Sequence, residues 1–220
     1  MFKTLAVFGQ ELLDNPRSVG AACPSSPLLA NRIARLVGQQ SEGYVIELGA
    51  GTGAITKALL AAGLLPRQLV PVERSARLAA HLRRRFPKLD VLHGDACELG
   101  RLVESLPHLA GRQVTHIVSS LPLRSLPPAD VATIFDGVRR VLAPDGLFIQ
   151  YTYAVRQGTA AEGLHWCARS VVWLNLPPAR VDVFAAAPET AAAFRQSVAT
   201  TGLDSGLMPA WQFGDSDVAC

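Results

Sequence analysis

Apolar positions along this chain change their period several times, and each change marks an element. Phe2, Leu5, Ala6, Gly9, Leu12 and Leu13 recur at helical spacing while Lys3, Gln10 and Glu11 fall elsewhere on the wheel, which predicts an amphipathic helix over 1–14. After the Asn15-Pro16 break, Ser26 suits a helix N-cap and Pro27 a first helical position, ahead of the apolar Leu28, Leu29, Ile33 and Leu36. From Tyr44 short apolar runs alternate with helical stretches. YVIELG, QLVPVE, LDVLHGD, THIVSSLPL and GLFIQYTYA read as strands, while AITKALLAAGLL, SARLAAHLRRRF and ADVATIFDGVRRVL read as helices. Ala143-Pro144-Asp145-Gly146 supplies the stop signal for the last of these helices. Two further runs, ARSVVWLNL and ARVDVFAA, flank Pro177-Pro178 and are expected to form a hairpin that closes the sheet.

Alternation of this kind implies an α/β fold with a mainly parallel sheet and helices on both faces. The expected division is N-terminal helices over 1–40, with the stripe over 1–14 suited to a membrane interface or to covering the sheet. The α/β domain follows over 41–184, and a weakly structured extension over 185–220. Composition narrows the classes. With 49% hydrophobic residues, 18% charged residues and a positive mean hydropathy, the chain is apolar enough to meet a membrane surface. Gln10, Glu11 and Asp14 interrupt the N-terminal stretch before a signal-peptide core, and no segment approaches the roughly 20 apolar residues that span a bilayer. A cytoplasmic protein that touches lipid only at the inner surface of the membrane is expected. A net charge of +3 is small for a dedicated nucleic-acid binder, so nucleic acid is not the expected partner. Cys23, Cys97, Cys167 and Cys220 contain no C-x-x-C pair, which argues against a zinc site and a disulfide framework; no metal is expected. Oligomeric state is not legible.

The strongest motif is Glu47-Leu48-Gly49-Ala50-Gly51-Thr52-Gly53, set between a predicted strand and a predicted helix. Glycines there let the backbone approach a ligand closely. The spacing is G-x-G-x-G rather than the dinucleotide G-x-G-x-x-G, and an acidic residue ahead of the glycines suits a cationic ligand better than a diphosphate. Glu73 ends the next predicted strand about 20 residues on, where a carboxylate can accept two ribose hydroxyls. Asp95 ends the third strand and can equally cap the segment that follows it.

This E-L-G-A-G-T-G resembles motif I of the class I methyltransferases, whose fold is a Rossmann-like, mainly parallel seven-stranded sheet. That resemblance implies S-adenosylmethionine as cofactor, held by Glu47, Gly49, Ala50, Gly51, Thr52 and Gly53, by Glu73 with Arg74 beside it at the ribose, and by Asp95 with Ala96 at the adenine. Beyond motif I, Ser119-Ser120-Leu121-Pro122-Leu123 resembles the S-G-L-P-L segment of the bacterial phosphatidylethanolamine N-methyltransferases. Asn15-Pro16-Arg17 to Gly20, Pro24-Ser25-Ser26, Gln150-Tyr151-Thr152-Tyr153 and Asn175-Leu176-Pro177-Pro178-Ala179 follow that family's segments in the same order, across about Asn15 to Val183. The resemblance implies methyl transfer to the amine of a membrane lipid headgroup, phosphatidylethanolamine or a related aminolipid such as ornithine lipid. Ser119, which also borders the cofactor, and Leu121 then lie at the transferred methyl. The chain departs from the family at Ser120, which replaces a glycine, and at Ala154-Val155-Arg156-Gln157-Gly158.

Tyr151 and Tyr153 are candidates for orienting the amine, because aromatic faces attract ammonium and strand residues two apart share a face. His116 and His165 read as structural rather than as bases, and Arg83-Arg84-Arg85 with Lys88 as a solvated helix face. Two other readings stand beside the lipid one. An RNA adenine dimethylase shares the E-x-G-x-G-T-G-x-x-T pattern but places N-L-P-Y where this chain has Ser119 to Leu123, lacking the aromatic that stacks on an extruded base. A non-catalytic cofactor-binding module keeps the fold but not the turnover.

Overall fold

The computed structural model describes residues 26–38, 43–155, 161–175, 177–201 and 207–209. The predicted stripe over 1–14, the family-like segment from Asn15 to Ser25, and Arg156-Gln157-Gly158 lie outside them.

Helix α1 (Pro27–Val37) begins as its sequence dictates: the Ser26 hydroxyl accepts the Leu29 N–H, and Pro27 occupies the first turn. Strands β1 (Tyr44–Leu48), β2 (Leu69–Glu73), β3 (Leu92–His93), β4 (Val114–Ser119) and β5 (Leu142–Thr152) pair in parallel, linked by α2 (Ala54–Ala61), α3 (Ala76–Arg85), α4 (Leu99–Glu104) and α5 (Pro128–Val141). The antiparallel hairpin β6 (His165–Val172) and β7 (Ala179–Ala185) inserts β7 beside β5; helix α6 (Pro188–Thr201) and the short strand β8 (Leu207–Pro209) follow. Strand order is β3-β2-β1-β4-β5-β7-β6-β8, so β8 adds an eighth, edge strand to the seven of the expected sheet.

Two apolar layers flank the sheet. Val45, Val118, Ile149, Val181 and Val183 face α1, α2, α3 and α6, whereas Ile46, Leu48, Val70, Ile117, Phe148 and Phe184 face α4 and α5. On that second face Phe148 lies edge-on to Phe135 of α5 at 5.5 Å and tilted to Phe184 at 6.2 Å. Among the described residues no helix is long and apolar enough to cross a membrane.

Two local expectations are corrected. The third predicted strand shrinks to Leu92–His93, because the Arg83 guanidinium takes the Val91 carbonyl (2.9 Å) that a strand neighbour would need. Arg85 likewise binds the Thr52 carbonyl at 2.7 Å, so two residues of the arginine run, exposed as expected, also tie down loops. And α5 ends at Val141, before the Pro144-Asp145-Gly146 signal. Those residues form an irregularity inside β5, where β4 advances from Val114 to His116 while β5 advances from Leu142 to Leu147.

The second face carries a buried ion cluster at the carboxyl ends of the parallel strands. Arg180 and Asp182, both fully buried, pair at 2.8 Å; Arg169 joins the same carboxylate at 2.9 Å, and Arg180 also donates to the Val155 carbonyl at 3.1 Å. Burial, more than any neighbour, pulls the Arg180 pKa down, while Asp182 holds it charged. Asp182→Asn strands this cation and is expected to lower unfolding free energy by roughly 3–5 kcal/mol in denaturant titrations. A loss under about 1 kcal/mol would show that water reaches the cluster.

Candidate active site

The β1–α2 connection is the Gly49–Gly53 loop, and its three glycines have φ of 74°, 57° and 79°. They do different work. A Cβ on Gly49 would meet the Ser120 hydroxyl at 2.6 Å, and one on Gly53 would meet the Phe86 ring at 2.6 Å, so these positions are small because other protein packs on them. At Gly51 the nearest atom would be 3.9 Å away. Gly51 is therefore where open space reaches the loop backbone.

Glu73, at the end of β2 and 6% exposed, fixes that loop: its Oε2 accepts the Gly51 N–H and its Oε1 the Ser75 N–H, both at 2.8 Å. One carboxylate thus ties the glycine loop to the β2–α3 turn. The Val72 carbonyl accepts the Gly49 N–H at 2.9 Å and completes the attachment. Ala50 and Thr52 are buried within the loop.

Glu47 lies on the same face one strand over, 2% exposed, with its Oε2 accepting the Thr56 hydroxyl at 2.6 Å. Burial pushes its pKa up to about 8, against the lowering effect of Thr56 and with a small raising contribution from Glu73. No described cation forms an ion pair with it. A buried carboxylate with one hydroxyl partner, beside an open glycine backbone, is a site prepared for a cationic ligand.

Asp95 does cap the turn after it: Oδ1 accepts the Cys97 N–H at 2.9 Å, while Oδ2 lies 3.6 Å from the Arg74 guanidinium. Ala96 is buried behind them. Ser119 is fully buried and its hydroxyl accepts the Leu121 N–H at 3.3 Å, shaping the turn that follows β4. In that turn Ser120 donates its hydroxyl towards the Leu48 and Gly49 carbonyls, clamping the turn after β4 to the glycine loop. The family's usual glycine has no such clamp to offer.

Tyr151 and Tyr153 pack on the same face of the sheet as the rest of the α1–α3 layer, edge to face at 6.3 Å, at the carboxyl end of β5. The structure thus brings Glu47, the Gly49–Gly53 loop, Glu73, Arg74, Asp95, Ala96, Ser119, Leu121, Tyr151 and Tyr153 to the carboxyl ends of adjacent strands. It keeps the two histidines weighed as bases, His165 and His116, away. His165 opens β6 opposite Ala185, at the far rim, and His116 sits three residues below the end of β4, about 10 Å along a strand. Burial lowers the His116 pKa to about 4, so it is neutral.

Sequence reasoning missed Gln150. It is 1% exposed, and its Nε2 donates to the Leu121 carbonyl at 3.1 Å and the Tyr151 carbonyl at 2.6 Å. Its Oε1 is buried without a hydrogen-bond partner. A glutamine inside an aromatic strand, followed by the Leu-Pro turn across β4, was the available signal. Among the described residues no group of three His, Cys, Asp or Glu side chains is arranged to hold a metal ion.

Residues 45–146 match the model of a family described as a methyltransferase domain. The chain is 31% identical over 153 residues, 68% of its length and 78% of the relative's, to the ornithine lipid N-methyltransferase of Singulisphaera acidiphila. It is 28% identical to the ribosomal RNA small subunit methyltransferase A of Ruegeria pomeroyi, over 75% of this chain but 60% of that protein. Its fold superposes with a TM-score of 0.56 on the TehB-like SAM-dependent methyltransferase of Corynebacterium glutamicum, 17% identical, covering 82% of this chain and 98% of that one.

The raised Glu47 pKa carries a signed consequence. A carboxyl group of ordinary pKa 4.5 when unfolded and about 8 when folded stabilises the ligand-free protein fully below pH 4.5, and that contribution is lost as pH rises through about 8. Glu47→Gln, which stays neutral, is expected to remove this component from the pH dependence of Tm and to leave the ligand-free variant more stable than the parent above pH 8. Parallel Tm curves for both proteins across that window would show that Glu47 is already ionised in the folded chain.

Proposed function

The chain belongs to the class I S-adenosylmethionine-dependent methyltransferases, and we propose that its acceptor is the amine of a membrane lipid headgroup. Phosphatidylethanolamine and ornithine lipid are the two acceptors to try first. S-adenosylmethionine is the cofactor, and the site fits it: a buried carboxylate without a cation at Glu47, and open backbone at Gly51. In this reading Glu47 meets the ammonium of the cofactor, the Gly49–Gly53 backbone, with Ala50 and Thr52, lines its tail, Glu73 with Arg74 takes the ribose, and Asp95 with Ala96 takes the adenine. Both Glu73 oxygens accept a backbone N–H, which fixes the carboxylate in the orientation in which it would meet the ribose.

Bound S-adenosylmethionine supplies an activated methyl group; the protein's task is alignment and exclusion of water. Ser119 and Leu121 flank the point of transfer. Tyr151 and Tyr153 present aromatic faces to the headgroup ammonium and its methylated products. Before it attacks, the amine must shed a proton, and an apolar rim favours the neutral form.

The observation that carries the lipid reading is the make-up of this rim. Leu121, Pro122 and Leu123 follow β4 and are tied through Gln150 to the carboxyl end of β5, where Tyr151 and Tyr153 pack on the other face of the sheet, and the turn holds neither the Asn nor the stacking aromatic that a base-flipping enzyme uses. The ornithine lipid enzyme supports the same reading. Similarity to ribosomal RNA enzymes favours RNA as the second reading.

The test is transfer of label from S-adenosylmethionine into liposomes containing phosphatidylethanolamine or ornithine lipid, with RNA as a parallel acceptor. Label in lipid is expected, lost in Glu73→Ala and reduced in Glu73→Gln. Label in RNA alone would replace the lipid reading with the second one. A second measurement separates the rim from the cofactor site. Tyr151→Ala and Tyr153→Ala are expected to raise KM for lipid roughly tenfold, the scale of one cation–π contact, with cofactor Kd unchanged. A change in cofactor Kd instead would move the tyrosines to the cofactor side.

A further inference from the structure

Four large apolar side chains are exposed among the described residues: Leu28 at 50%, Leu65 at 41%, Trp173 at 70% and Leu174 at 83%. Leu65 precedes β2 and so lies at the amino ends of the parallel strands. The other three gather at the opposite rim. Trp173 and Leu174 form the turn between β6 and β7, and because Val172 pairs with Ala179 while Thr152 pairs with Arg180, that turn projects from the carboxyl ends of the sheet, where the active site is. Asn175, 3% exposed, holds it there. Its Oδ1 accepts the Ser26 N–H at 3.2 Å, its Nδ2 donates to the Pro177 carbonyl, and its own N–H returns to the Val172 carbonyl at 3.2 Å. The start of α1, with Leu28 two residues beyond Ser26, is thereby fastened to the hairpin tip.

We propose that Trp173, Leu174 and Leu28 form a docking surface that seats the active-site rim on an anionic lipid bilayer. The proposal rests on the lipid reading of the acceptor. Exposed apolar side chains gathered at one point are uncommon on a soluble surface, and Trp is the side chain that favours the membrane interface. Charge agrees with an anionic surface: α1 carries the exposed Arg35 two turns beyond Leu28 and no acidic residue, and Trp173 to Pro178 contains no charge at all. Three side chains on a protruding turn are too few to cover the roughly 800 Å² per partner of a stable protein interface. A bilayer requires no such matching face. Docking here brings the headgroup to the rim without lifting the lipid from the membrane.

The experiment is co-sedimentation with vesicles of phosphatidylethanolamine and phosphatidylglycerol, and with vesicles of phosphatidylcholine alone, using the full chain and the double variant W173A/L174A. Each is also assayed with the same aminolipid dispersed in detergent micelles. The parent is expected to bind the anionic vesicles in preference to the neutral ones, and the variant to bind on the order of tenfold more weakly. The variant should lose methyl transfer to vesicles in proportion while keeping the parent's rate on micelles. Equal vesicle binding by parent and variant overturns the proposal, as does equal parent binding to both vesicle types. A lowered Tm in the variant with vesicle binding unchanged also overturns it, because the tip would then be packed on protein. Failure of the lipid reading is a different result: no transfer by the parent even to micellar lipid.

Discussion

A carboxylate that accepts N–H groups from two separate loops fixes both loops at once, and at this rim that carboxylate is Glu73. Its oxygens hold Gly51 and Ser75, and the Glu73 carbonyl also accepts the Gly94 N–H at 3.1 Å, so the turns after β1, β2 and β3 all converge on one residue. The backbone path of the glycine loop depends on this attachment, because three positive-φ glycines in five positions leave little of their own to hold a shape. Entropy that a free loop would spend on ligand binding is spent on folding instead. A site built in this way is preorganised.

The two faces of the rim treat charge in opposite ways. On the α1–α3 face Glu47 is buried with a hydroxyl and no cation, so the ligand-free protein holds a carboxyl group that gains by meeting a positive ligand. On the other face the Asp182 carboxylate is taken by two cations of the protein itself, Arg180 and Arg169. One carboxylate is arranged for a ligand and the other for the protein. Arg180 reaches from that second cluster to the Val155 carbonyl, so the saturated ion group props the chain just after Tyr153. A buried ion group is weak evidence of stability, and here its value lies in positioning.

Much of this was legible in the sequence, for identifiable reasons. The alternation of short apolar runs and helical stretches, the Ser26-Pro27 helix start and the G-x-G-x-G turn are local signals, and the structure carries each of them out where local physics is sufficient. Position was lost where a distant group intervened. Leu89 to Val91 has the composition of a strand, but Arg83 from the preceding helix takes the Val91 carbonyl. Pro144-Asp145-Gly146 looks like a helix stop, but pairing between Leu142 and Val114 ends the helix earlier. Trp173 and Leu174 continue an apolar run and read as strand; they become an exposed turn because Asn175, closed on Pro177, forces the chain to reverse. Gln150 was hidden for a related reason: its meaning depends on the Leu121 carbonyl, 29 residues away in sequence.

Gln150 and Ser120 together explain how the short turn after β4 can stay in register with the glycine loop. Ser120 bonds to carbonyls of β1 and the glycine loop on one side, and Gln150 bonds to the Leu121 carbonyl from β5 on the other. The Ser120-Leu121 segment is therefore held between β1 with its glycine loop and β5. Methyl transfer needs the nucleophile and the methyl group in line within a few tenths of an ångström, and misplacement by about 1 Å can cost a hundredfold in rate. A turn fastened from both flanks suits that demand, while His116 and His165 lie elsewhere in the sheet. It also accounts for serine in place of glycine at position 120. What the backbone gives up in freedom, the hydroxyl returns as a cross-link between the two halves of the site.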